Sequence, residues 1–198
     1  MSRASALRSV LRSGRRLRTL GVDDGPFRRG SRRDVLVVGA VYSDHQFEGL
    51  LSCRVRQDGH DATARLTEMI CGSKFAPQLH LVVLDGIALG GFNVVDLPAL
   101  AQATALPCVA VMRRQPDLVA VERAIAQLPR ARPRLARLAH AGPIRTAGAV
   151  RFQCAGVAPE TAARAIARSV CAGHLPECVR AAHLIASGIV TGQSGRRA

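Results

Sequence analysis

Apolar residues along this chain follow two periods, and the order in which they change sets the expected fold. A nearly continuous apolar run from Leu79 to Leu84 stops at Asp85, which Gly86 and then Gly90-Gly91 follow. A run of strand length that is apolar throughout is the pattern of a strand buried on both faces. Upstream, Leu17 to Val22 predicts a first strand ending at Asp23-Asp24-Gly25-Pro26, and the Val-rich stretch Val35 to Tyr42 predicts a second. Phe47 to Arg56 predicts a third, alternating in its second half (Cys53 and Val55 against Arg54 and Arg56) as a half-exposed antiparallel strand does. Short connections between the three predict a meander.

The helical period begins after Gln57-Asp58-Gly59-His60-Asp61. Asp61 suits the N-cap of a helix over Ala62 to Gly72, with Leu66, Met69 and Ile70 on one face. A second helix is expected over Val94 to Thr104. Pro98 suits a first turn but not a middle, which moves the start toward Asp96. Pro107 to Met112 predicts strand five, and Asp117 to Leu128 a helix. Residues 129–141 read as a basic, partly helical connector, and Ile144 to Ala155 as a strand or hairpin. Helices are expected over Pro159 to Ala172 and from Leu175-Pro176-Glu177 through Ser187. Residues 1–16 are expected to be a disordered basic arm; a short amphipathic helix or an organelle address has the same composition. The tail from Gly188 is expected to fray, with residues 191–198 outside the domain. The expectation is one domain over 17–190: three antiparallel strands continued by parallel βα units, a ribonuclease-H-like mixed α/β sheet flanked by helices.

Composition narrows the function. The 198 residues are 48% hydrophobic, enough for one core, but only 3% aromatic with no Trp. The core is therefore aliphatic, and aromatic platforms for stacking bases are not expected. Net charge is +14, and Lys74 is the single lysine among 28 basic residues. A small, strongly basic domain favours a polyanionic partner, chiefly nucleic acid. Against that background, ten of the fourteen acids fall between Asp23 and Asp96. The six cysteines (53, 71, 108, 154, 171, 178) show no CxxC pair and no zinc spacing, so they read as reduced thiols in a cytoplasmic protein. No apolar run reaches the ~18 residues of a membrane span, and no membrane partner is expected.

The acids suggest the chemistry. A carboxylate at the C-terminal edge of a buried strand, before a glycine-rich loop, is a frequent functional position in open α/β sheets. In the expected strand order the ends of strands one and four are neighbours. Asp23 and Asp24 would then lie beside Asp85, and Asp58 or Asp61 at the start of the first helix could complete the group. Crowded carboxylates repel one another unless a cation is present, and Asp oxygens suit Mg²⁺ or Mn²⁺. Such a metal activates water and steadies a phosphodiester in its transition state. Arg28, Arg29, Arg32 and Arg33, in the loop after strand one, would hold the nucleic-acid backbone. Each aspartate alone reads as a turn or cap residue; their shared placement at strand ends favours the metal. His183 by itself reads as a partly buried helix histidine, and Asp96 equally as a cap or as support for the site.

Four segments carry a family resemblance: Val22-Asp23-Asp24-Gly25-Pro26-Phe27; Asp58-Gly59-His60-Asp61-Ala62-Thr63; Leu84-Asp85-Gly86-Ile87 with Gly91-Phe92-Asn93-Val94-Val95-Asp96; and Leu175-Pro176-Glu177 with Arg180-Ala181-Ala182-His183-Leu184-Ile185-Ala186. Together they resemble uncharacterised-domain family 99, the endonuclease dU family, over about residues 17–195. That family is similar to endonuclease V, a ribonuclease-H-like enzyme that cleaves nucleic acid near deaminated bases with Mg²⁺ or Mn²⁺. The resemblance matches the first-strand Asp of endonuclease V to Asp23 or Asp24, and its strand-four Asp-Gly to Asp85-Gly86. Its Pro-Glu…Arg…Ala-His helix is matched by Pro176, Glu177, Arg180, Ala182 and His183. It implies metal-side or phosphate-side work for His183; Asn93 and Arg180 are expected to contact nucleic acid. Endonuclease V also has a Pro-Tyr-Ile-Pro wedge and a catalytic Glu before the first helix. This chain has no such wedge, and Asp61 or Asp58 stands where the Glu would be. The expected function is a metal-dependent endonuclease on DNA or RNA, with deaminated bases such as uracil as the target and DNA repair as the role. The rival is a non-catalytic nucleic-acid-binding module on the same scaffold.

Overall fold

The computed structural model describes residues 3–31 and 33–194. The chain opens with helix α1 (Arg3–Ser13), then the meander β1 (Arg18–Asp24), β2 (Asp34–Ser43) and β3 (Gln46–Arg56). Helix α2 (Ala62–Cys71) leads through a 3₁₀ turn to β4 (Leu81–Asp85). A two-stranded ribbon, β5 (Ala88–Leu89) with β6 (Asn93–Val94), precedes α3 (Leu97–Thr104) and β7 (Cys108–Met112). Helices α4 (Leu118–Ala126) and α5 (Ala131–His140) follow, then the hairpin β8 (Arg145–Ala147) and β9 (Val150–Ala155), and last α6 (Pro159–Ser169) and α7 (Glu177–Thr191).

The main sheet has the order β3-β2-β1-β4-β7-β9-β8 among the described residues. β1, β4 and β7 run parallel, and the remaining neighbours pair antiparallel. Both faces of β4 are covered, which is why its sequence shows no alternation. Leu81 and Val83 face a core layer shared with Val179 and Ala182 of α7 and Ile166 of α6. Val82 and Leu84 face a second layer with Leu66 and Ile70 of α2 and Leu97 and Leu100 of α3. The fold is thus a mixed α/β sheet between two helical layers. No helix among the described residues is long and apolar enough to cross a membrane.

Two expectations need correction. Residues 3–13 are not a disordered arm: Leu7 and Val10 are buried in the first core layer, with Leu11 against it. The Arg3 guanidinium donates to the carbonyls of Pro77 (2.8 Å) and Leu79 (3.1 Å), fixing the helix at the N-terminal end of β4. The final helix does not end at Ser187 but continues to Thr191. Gly192, at φ +82°, supplies the left-handed cap there. Residues 195–198 of the expected frayed tail lie outside the described residues.

The approach of α7 to β1 positions the site. At Gly21 an added Cβ would lie 2.1 Å from the Cys178 carbonyl carbon and 2.4 Å from the Val179 nitrogen. Only glycine permits this contact. Gly21→Ala is expected to destabilise the fold by at least ~1–3 kcal/mol through overpacking, read from urea unfolding. An unchanged midpoint would contradict the close approach.

Candidate metal centre

The parallel register aligns Val22 with Leu84. Asp23 and Asp85, each one residue further on, therefore emerge side by side at the C-terminal edge of the sheet. Helix α7, held close at Gly21, brings His183 onto the same edge. Its Nδ1 lies 2.7 Å from Asp23 Oδ2. Among the described residues, Asp23, Asp85 and His183 each offer one ligand atom, and these atoms all lie within 4.8 Å of one another. They line a cleft of about 590 Å³ with Asp24, Pro26, Phe27 and Arg113.

The carboxylates are fixed and electrostatically stressed. Asp23 Oδ1 accepts from the Asp24 main-chain N–H at 2.8 Å, and Asp24 Oδ2 accepts from the Gly90 N–H at 2.8 Å. Burial, followed by the neighbouring charges of Asp85 and Asp24, pushes the Asp23 carboxyl from its ordinary 3.8 up to about 9. Burial also raises Asp24, opposed by the Gly90 N–H, and raises Asp85, opposed by Arg113 and then His183. Arg113 stands 3.9 Å from Asp85 Oδ2, the only ion pair to these three acids from a lysine or arginine among the described residues. Crowded carboxylates joined by an imidazole, with so little cationic compensation, are a donor set that fits a divalent cation of the Mg²⁺ or Mn²⁺ class.

The other expected site residues fall into three groups. Arg28, Arg29 and Arg33 are exposed and line a groove of about 680 Å³, which shares Pro26 and Phe27 with the acid cleft. Arg32 lies outside the described residues. Asp58 and Asp61 are not part of the close acid group. Asp58 Oδ1 accepts from the Phe92 N–H at 2.8 Å. Asp61 Oδ1 accepts from the Asn93 amide at 2.7 Å and the Arg56 N–H at 3.2 Å. Both fasten the turn before α2 to the β5–β6 ribbon.

Asn93, expected to touch nucleic acid, is instead fully buried. Its Oδ1 accepts from the Ala62 N–H (3.0 Å) and its amide donates to the Arg56 carbonyl (3.0 Å), so it serves the same fastening. Arg180 is engaged with Glu177, one turn back along α7. Asp96 is a helix cap: its Oδ1 accepts from the Ala99 N–H at 3.0 Å. Sequence reasoning missed Arg113. Its signal was position: β7 is the parallel neighbour of β4, with Asp85 opposite Val111, so Arg113 emerges past the same edge.

A mixed α/β sheet with two aspartates at the ends of neighbouring parallel strands and a histidine from the last helix defines a class of candidate metal-site proteins, and likeness to known proteins makes the class particular. An endonuclease V of Ciona intestinalis, in complex with DNA containing an inosine, shares the fold with a TM-score of 0.52, at 11% identity over 90% of this chain and 91% of that one. The sequence matches the endonuclease dU family over residues 15–190, and the chain belongs to that family. A UPF0215 protein of Methanothermobacter thermautotrophicus is 40% identical over 183 residues, 90% of each chain. The crystal structure of a protein of unknown function from Archaeoglobus fulgidus superposes with a TM-score of 0.84, at 39% identity over 89% of this chain and 99% of that one.

Proposed function

We propose that this protein is a divalent-metal-dependent endonuclease that hydrolyses phosphodiester bonds in DNA or RNA, on a ribonuclease-H-like domain. The observation that carries the reading is the Asp23–Asp85–His183 group in a cleft whose wall continues into an arginine-lined groove. Family membership and the likeness to endonuclease V support it. Asp23, Asp85 and His183 would hold Mg²⁺ or Mn²⁺, with Asp24 beside them. Bound there, such an ion would lower the pKa of a water and neutralise charge building on a phosphate. Arg113 is placed to grip a phosphate once a cation takes over Asp85. Arg28, Arg29 and Arg33 would hold the flanking backbone by charge-assisted hydrogen bonds. Asp58 and Asp61 act as loop fasteners and not as ligands. Deaminated bases, uracil among them, are the substrate class that the family name suggests, and repair of DNA is the role that follows.

The test is cleavage of labelled oligonucleotides containing uracil, hypoxanthine or no lesion, with and without Mn²⁺. Metal-dependent cuts on one lesion-bearing strand are expected. Salt-sensitive binding to every oligonucleotide without any turnover would overturn the enzyme in favour of a binding module.

A further inference from the structure

Arginine in helix α5 is used in an unusual way. Arg134 is 3% exposed, yet no carboxylate lies within ion-pairing distance of it among the described residues. Its guanidinium donates instead to five main-chain carbonyls. Two belong to the approach to α5, Pro129 and Arg130 (3.3 Å). Two belong to the turn before α2, Asp58 and Gly59 (3.4 Å), and one is Phe92 in the ribbon (2.9 Å). Arg137, one turn along α5, repeats the bridge: its Nη1 donates to His60 (3.1 Å) and to Val94 (3.2 Å). A rigid fork of five donors suits this task, since it fixes several backbone segments at once.

Those segments lead to the acid cleft. The Asp58 N–H donates to the Gly90 carbonyl at 2.8 Å, and the Asp58 carboxylate receives the Phe92 N–H. Gly91, at φ +91°, lies so close that an added Cβ would stand 2.4 Å from Asp58 Oδ1. The next link is the Gly90 N–H to Asp24 Oδ2, and from Asp24 the main-chain N–H reaches Asp23 Oδ1. An unbroken path of hydrogen bonds and covalent links thus joins a buried guanidinium on α5 to two acids of the cleft.

We infer that Arg134 is a positioning residue for the metal centre: from outside the cleft it sets the 86–92 loop so that the Gly90 N–H orients the Asp24 carboxylate beside Asp23. The inference rests on the metal reading of the Asp23–Asp85–His183 group. Without the clamp, the Asp58 turn that still holds Gly90 and Phe92 loses its anchor to α5, so the Gly90 N–H shifts with it and Asp24 can turn among carboxylates that repel it.

Arg168 provides a matched control. Its guanidinium also donates to carbonyls, those of Val10 (3.4 Å), Gly14 (3.4 Å) and Arg15 (2.7 Å), and to Asp44 Oδ1 (3.0 Å). It therefore fixes α1 at the opposite end of the strands. Truncating either arginine costs stability, but only Arg134 reaches the cleft.

The experiment titrates Mn²⁺ by calorimetry into wild type, Arg134→Met, Arg134→Lys and Arg168→Met, well below every melting temperature, with circular dichroism confirming the fold. Arg168→Met is expected to bind Mn²⁺ as wild type does. Arg134→Met is expected to bind up to about 10-fold more weakly, the low end of the loss seen when a partner bonded directly to a ligand is removed, because Arg134 acts through two intervening links. Arg134→Lys, which keeps the charge but not the fork, is expected to be as weak. Equal affinities for Arg134→Met and Arg168→Met would overturn the inference, and so would restoration by Lys, which would make charge the cause. If Arg134→Met does not fold, Arg137→Met decides, because it removes two bonds of the same clamp. A smaller weakening supports the inference and an unchanged Kd overturns it. Wild type that binds no Mn²⁺ would refute the metal reading itself, and the positioning role with it.

Discussion

Asp85→Asn is expected to remove Mn²⁺-dependent cleavage by more than ~100-fold while leaving the fold standing. The magnitude follows from the role proposed for Asp85: loss of an outer-sphere partner alone costs ~10–100-fold at metal sites, and the proposal makes Asp85 a direct ligand. The fold should survive because asparagine has the same shape as the protonated acid, toward which burial already drives this side chain. Neutralising it also removes repulsion against Asp23. The lost Arg113 contact is a 3.9 Å pair with a well-exposed partner, and pairs of that kind contribute at most ~1 kcal/mol. Thermal unfolding of metal-free Asp85→Asn should therefore give a melting temperature equal to or above that of wild type, and added Mn²⁺ should no longer raise it. Cleavage that survives in this variant would sink the assignment of Asp85. A collapsed fold would show that the residue is structural.

Much of this site could be read from the chain because strands carry their own coordinates. The run from Leu79 to Leu84 announces burial on both faces, and its stop at Asp85 marks the edge. Once β1 is placed beside β4, register alone makes Asp23 and Asp85 neighbours. His183 was different. Helix periodicity places it on α7 but says nothing of where α7 crosses the sheet, which depends on the close contact at Gly21. Only the resemblance singled it out.

The rest was hidden for physical reasons. Strands of two residues have no period to detect, so β5 was read as glycine-rich loop and Val94 of β6 as the start of a helix. Arginine is almost always exposed, so the 129–141 connector gave no hint that Arg134 is buried under carbonyls. In α1 the spacing of Leu7, Val10 and Leu11 is helical, but the arginines around it look like a solvated arm. Asp58 and Asp61, in the turn before α2, and Asn93, in β6, spend their polar atoms on backbone and on one another, a distinction that exists only in three dimensions.

The second large effect concerns pH and metal together. The Asp23 carboxyl titrates near 9 in the folded chain and near 3.8 when unfolded. Between those values the folded state holds a proton that the unfolded state has released. The contribution of Asp23 to stability is thus complete below about pH 4 and is lost progressively as pH rises toward 9. Asp24 and Asp85 are shifted the same way. Asp23→Asn keeps the shape and cannot ionise, so it escapes this loss. Without metal, the variant should gain in melting temperature over wild type as pH goes from 5 to 9, by at least the roughly 4 °C that a single pKa unit is worth. One pKa unit is worth ~1.4 kcal/mol, and each kcal/mol moves the transition by ~2–4 °C at this chain length. Mn²⁺ should reverse the order, because the cation supplies in wild type the positive charge that the proton otherwise provides. Calorimetry in two buffers of different ionisation enthalpy should then show proton release when Mn²⁺ binds at pH 7. Parallel pH profiles for the two proteins, or binding with no proton released, would mean that Asp23 is already ionised, and the repulsion on which the proposed metal site rests would have to be relieved in another way.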